Sequence, residues 1–228
     1  MASLKKGYLI LLFAFAADSY VSHTMASTRL QQYAAANGCF TQPISGAARF
    51  DSYIPYLRDK RVGMVVNSNS LVNGRHVVDT LIAQGITVVR LFTPERHVGI
   101  SGLPQVRLYG AQEKPSESDL ADIDVMVFDA QDIGVRFYIY LHTLHYVMEA
   151  CARYGLELLV LDRPNPMGGA VDGPIMDMDS KHPLGMHPVP ILHGMTMAEY
   201  AKMINGEGWL ADGRQCPLRI VSMLGYRR

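Results

Sequence analysis

Along the chain, short unbroken apolar runs alternate with longer segments in which apolar residues recur at helical spacing. The runs predict strands at 62–66, 86–92, 106–109, 124–129, 158–161 and 218–223. Four of them are continuous rather than alternating, as expected of strands covered on both faces. Between them, 76–84 places Val77, Val78, Leu81 and Ile82 on one face, and Gly85 follows where a left-handed residue ends a helix. Residues 140–154 repeat Leu144, Val147, Met148, Cys151 and Tyr154 at helical spacing before Gly155. At 196–205, Thr196 and Glu199 occupy the two positions of a capping box. Shorter helical turns are expected at 53–57 and 115–121, and a Pro- and Gly-rich loop extends to about residue 192. Strands alternating with helices in this way predict an α/β fold with a doubly wound, mostly parallel sheet.

The polar residues collect at the ends of the predicted strands. Asn67-Ser68-Asn69, Glu95-Arg96-His97, Asp129-Gln131-Asp132 and Asp162-Arg163-Asn165 each follow an apolar run. In an open parallel sheet these ends share one edge, where ligands bind. The stretch 125–140 is the densest case, since a buried strand there empties into Asp129, Gln131, Asp132 and Arg136, with Tyr138 and Tyr140 behind. A plainer interpretation has Asp129 capping the next helix and Asp132 pairing with Arg136 at helical spacing.

Composition narrows the chemistry. The chain has 228 residues, 49% hydrophobic and 18% charged, enough apolar content for a sizeable core. Lys and Arg number 21, as do Asp and Glu, so no basic excess is available for a phosphate backbone and nucleic acid is not expected as a partner. Cys39, Cys151 and Cys216 are widely spaced, with no paired-cysteine motif, and Cys151 lies on an apolar helix face. No glycine fingerprint for a dinucleotide or a nucleotide phosphate occurs, and no nucleophile elbow. His142 and His145 are three apart on a helix, either a candidate metal pair or two half-exposed surface histidines. Lys5 and Lys6 before the apolar run 8–17, with small residues after it, resemble a secretory leader over 1–26. The run is too short to span a bilayer. Residues 27–48 form a lead-in, and 49–228 the domain. What remains is carboxylate chemistry supported by arginine, tyrosine and amide groups, which suits a glycoside. Glu95, set behind a proline at a strand end, is the leading acid.

Three motifs then point to a family. Residues 128–140, Phe-Asp-Ala-Gln-Asp-Ile-Gly-Val-Arg-Phe-Tyr-Ile-Tyr, together with Leu161-Asp-Arg-Pro-Asn-Pro166 and His193-Gly-Met-Thr196, resemble the bacterial exo-β-N-acetylmuramidase family. Residues 63–67, 108–110, 114–115 and 171–174 fit as well, so the resemblance runs from about residue 46 to the end. It implies a Rossmann-like α/β domain, a further C-terminal domain, and an exported, periplasmic or extracellular glycosidase that frees terminal N-acetylmuramic acid from peptidoglycan fragments. It implies no metal or organic cofactor. Glu95 and Asp129 would be catalytic. Asn67, His97, Gln131, Asp132, Arg136, Tyr138, Asp162, Arg163, Asn165 and His193 would line the sugar site, with Arg136 or Arg163 taking the lactyl carboxylate. Two departures stand out. A residue intrudes before His97 and a longer loop is missing there, and the chain stops where the family's C-terminal domain would begin. The alternatives are an impaired paralogue that only binds amino sugars and a nucleotide-binding α/β protein.

Overall fold

The computed structural model describes residues 42–95, 98–100, 102–110 and 112–227. The leader-like segment, most of the lead-in, and His97 lie outside the described residues. From Pro43 onward the chain forms one unit.

Six strands build a wholly parallel central sheet: β1 (Arg61–Val65), β4 (Thr87–Thr93), β5 (Gln105–Arg107), β6 (Val125–Phe128), β7 (Glu157–Leu161) and β10 (Leu218–Val221). Their order is β10-β7-β6-β1-β4-β5. Two small antiparallel pairs lie outside the sheet, β2 (Leu71–Val72) with β3 (Arg75–His76) and β8 (Val171–Asp172) with β9 (Leu192–His193). The helices are α1 (Ile54–Leu57), α2 (Val77–Ala83), α3 (Glu117–Leu120), α4 (Ile139–Tyr154) and α5 (Met197–Gly206). None of the described helices is long and apolar enough to cross a membrane.

The continuous apolar runs have the expected cause. Successive strand side chains point to opposite faces, and here both faces are covered. Met126, Phe128, Leu158 and Val160 join the core beneath α4 and α5. Val125, Val127, Leu159 and Leu161 join the core beneath α1 and α2. The helices end as their sequences direct. Gly155 takes the left-handed conformation (φ 71) and its N–H closes on the Cys151 carbonyl. Thr196 and Glu199 form a capping box at α5, and Ser116 and Asp119 form another at α3.

The connections place the site. From β1 the chain winds through α2 to β4 and β5 on one side, then returns to β6, β7 and β10 on the other. The winding reverses between β1 and β6. Their carboxyl ends, at Asn67 and Asp129, therefore flank the crevice where open α/β sheets receive ligands.

Candidate active site

The crevice is framed by backbone-to-side-chain bonds between strand ends. Asn67, fully buried, donates from Nδ2 to the Gln131 carbonyl (2.9 Å) and accepts the Gln131 N–H at Oδ1 (3.3 Å). The Ser70 hydroxyl donates to the Asp129 carbonyl at 2.5 Å. These bonds lock the end of β1 to the loop after β6 before any ligand enters. Gln131 extends the frame by donating to the carbonyls of Asp132 (2.7 Å) and Pro164 (2.9 Å).

Glu95 stands at the rim, just past the end of β4 and half-buried. Its backbone N–H is held by the Thr93 hydroxyl at 3.1 Å. Oε2 accepts from the Ser68 backbone N–H (3.0 Å) and from the Ser68 hydroxyl. Oε1 accepts from the Tyr140 hydroxyl at 2.9 Å. Burial first, and the Glu95 contact second, push the Tyr140 phenol far above its ordinary range, so it stays a donor. The Tyr138 ring, half-open to solvent, packs at a tilt on Tyr140 with centroids 5.1 Å apart, and Phe137 beside it is 52% exposed.

Beneath the rim, several expected site residues are engaged internally. Asp129 is fully enclosed, and its two oxygens take the Arg163 fork at 2.7 and 2.8 Å. Burial pushes this carboxyl upward while the guanidinium opposes the shift. Arg163 also donates to the Leu71 carbonyl (3.2 Å), so its fork is not open to a ligand carboxylate. Asp129 thus caps no helix. Nor does Asp132 pair with Arg136, which donates instead to the carbonyls of Pro174 (2.9 Å) and Val189 (2.5 Å), clamping the Pro- and Gly-rich loop. Asp132 accepts the Gly134 N–H at 2.8 Å, and its other oxygen has no protein partner. Burial raises its pKa. His193 accepts the Met195 N–H at Nδ1 (3.2 Å), which puts its proton on Nε2, 3.9 Å from Asp132. Asp162 accepts from the Thr196 hydroxyl (3.0 Å) and the Ala198 N–H (3.1 Å), so it serves the start of α5. Asn165 spans the Met195 carbonyl (2.9 Å) and the Met167 N–H (2.8 Å).

His142 and His145 are not half-exposed surface residues. Both are buried, because this face of α4 packs under the Pro- and Gly-rich loop and α5. His145 Nε2 faces Glu149 at 3.3 Å, its Nδ1 meets His187 at 3.0 Å, and His187 reaches the Tyr200 hydroxyl at 3.0 Å. The carboxylate fixes the direction of this chain: His145 donates to Glu149, His187 to His145, and Tyr200 to His187. Among the described residues no group of three or more His, Cys, Asp or Glu side chains is arranged to hold a metal ion. Sequence reasoning left Ser68 and Tyr140 out of the site. The signal for both was their membership of the polar clusters at 67–69 and 129–140.

With this geometry in hand, the likeness to known proteins is specific. Residues 62–228 match the family described as exo-beta-N-acetylmuramidase NamZ, N-terminal. The chain belongs to that family. It is 36% identical over 194 residues to a protein of Bacillus subtilis (strain 168) named peptidoglycan beta-N-acetylmuramidase NamZ, covering 77% of this chain and 46% of the relative. Two crystal structures of DUF1343 family proteins from Bacteroides fragilis NCTC 9343 share its fold. One has TM-score 0.77 and 38% identity, the other 0.76 and 35%. Each comparison covers 82% of this chain, and 53% and 51% respectively of the other. The chain thus spans about half the length of these relatives.

Proposed function

We propose that the chain carries the glycosidase site of an exo-acting β-N-acetylmuramidase, which releases terminal N-acetylmuramic acid from peptidoglycan fragments during cell-wall turnover. The carrying observation is Glu95. A half-buried carboxyl held by Ser68 and Tyr140, it follows β4, one strand from the switch point between β1 and β6, in a chain that matches the NamZ N-terminal family. Glu95 acts as the general acid that protonates the glycosidic oxygen. Asp129, shut in with Arg163, sets the floor on which Gln131 and Asp132 stand and does not touch the sugar. The exposed rings of Phe137 and Tyr138 offer apolar faces for a pyranose. Arg136, half-buried and bound to carbonyls through one nitrogen, retains further donors for the lactyl carboxylate. The leader-like run at 8–17 supports export of the chain.

Incubation of the purified chain with a chromogenic N-acetylmuramide tests the reading. Release of the chromophore, abolished by Glu95→Gln, is the expected result. Binding of N-acetylmuramic acid without release would instead favour a sugar-binding protein lacking the full catalytic machinery. Release that survives Glu95→Gln would move the acid elsewhere.

A further inference from the structure

We infer that Ser68 and Tyr140 are the positioning residues of Glu95, and that together they leave Oε1 as the oxygen through which its proton moves. The inference rests on Glu95 being the working carboxyl.

A carboxylate group has about four acceptor positions, two on each oxygen. Ser68 fills both positions on Oε2, one with its backbone N–H at 3.0 Å and one with its hydroxyl. Tyr140 fills one on Oε1 at 2.9 Å. One position remains, on Oε1, beside a phenol. The Ser68 N–H can only donate, and with the Ser68 and Tyr140 hydroxyls turned as donors a proton carried at the open position is available to a substrate oxygen.

The three groups come from different elements. Ser68 follows β1, Glu95 follows β4, and Tyr140 lies in the first turn of α4. The Asn67 side chain, already bonded to the Gln131 backbone, also lowers the pKa of the Tyr140 phenol against the larger effects of burial and Glu95. The acid is therefore tied to both sides of the switch point. When Glu95 gives up its proton, the carboxylate that results meets three donors already in place, so little reorganisation is needed at the moment of transfer.

Wild type, Tyr140→Phe, Ser68→Ala and Glu95→Gln are compared on the chromogenic N-acetylmuramide across pH. Tyr140→Phe is expected to lower kcat by roughly tenfold or more while KM moves far less, and to displace the Glu95-dependent limb of the pH profile. If Glu95→Gln is inactive while Tyr140→Phe and Ser68→Ala keep the parent kcat and pH profile, the positioning role is overturned and the reading of Glu95 stands. If Glu95→Gln stays active, the reading of Glu95 is what fails.

A second measurement needs no turnover. Carbodiimide coupling of an amine to Glu95, followed by peptide mass spectrometry, reports how firmly the two oxygens of that carboxyl are engaged. Both Tyr140→Phe and Ser68→Ala are expected to label Glu95 several-fold faster than the parent, because each frees a carboxyl oxygen from a group that holds it in place. In a chain that shows no turnover, equal labelling rates would overturn the inference.

Discussion

Arg163 and Asp129 meet beneath the floor with geometry that neither residue can surrender alone. The aspartate is fully buried and both oxygens lie within 2.8 Å of guanidinium nitrogens. Removing one partner of such a pair strands a charge in a dry interior, at a cost of about 3–5 kcal/mol. Arg163→Met is therefore expected to shift the urea midpoint strongly downward, and adding Asp129→Asn should restore part of the loss by removing the stranded charge. An unchanged midpoint in the single variant would mean that the pair does not hold the floor. Cys151 offers a contrasting case at the same scale. It is fully buried, and its thiol is raised well above the ordinary value, first by the hydrogen bond with Cys216 and then by burial. A thiol kept protonated is a poor nucleophile. Iodoacetamide should spare Cys151 in the native chain and modify it after unfolding, and rapid native labelling would show that this part of the core opens easily.

Elements differ in how far sequence alone reveals them. Central strands such as β6 and β7 were visible because burial on both faces writes them as unbroken apolar runs, whereas the edge strands β5 and β10 carry polar residues and only partial burial. Helices α4 and α5 were visible because their caps and apolar stripes agree. The hairpin of β2 and β3 was missed. Its strands are two residues each, too short for any period, and its signal lies instead in Asn73-Gly74, both with positive φ (50 and 75). Within the site, Glu95 could be picked out because it follows a buried strand. The occupation of Asp129 by Arg163 could not, since the pair joins residues 34 apart whose meeting depends on neighbouring strands β6 and β7. The loop after β6 also depends on Gly134. Its φ is 85, and a Cβ there would lie 2.0 Å from the Asn165 Oδ1 that holds the Met167 N–H. Gly134→Ala should cost on the order of 1–3 kcal/mol and weaken sugar binding together with stability. A variant that melts with the parent would show that the loop can relax without this turn.

At the scale of the whole molecule, His187 and His193 are buried histidines that tie stability to acidity. Burial is the leading cause at both, lowering His187 to about 3 and His193 to about 4 from an ordinary value of 6.5. His187 fastens the Pro- and Gly-rich loop to α4 through His145 and to α5 through Tyr200, and His193 lies beside Asp132. Below pH 6.5 the unfolded chain binds these protons and the folded chain refuses them, so stability falls as pH drops from 6.5 toward 4 and 3. At about pH 5 each histidine has withdrawn up to about 2 kcal/mol. Asp132 and Asp162 act in the opposite sense. Their pKa values are raised chiefly by burial, so the folded state holds those protons more firmly, and protonation in acid relieves the cost of enclosing their charge. The histidine effect begins at the higher pH because the unfolded imidazole titrates there. Urea midpoints measured near neutrality and near pH 5 should therefore fall with acid in the parent, and fall less in His187→Gln, where an amide replaces the titrating ring. A slope equally steep in that variant would remove His187 as a source of the acid sensitivity.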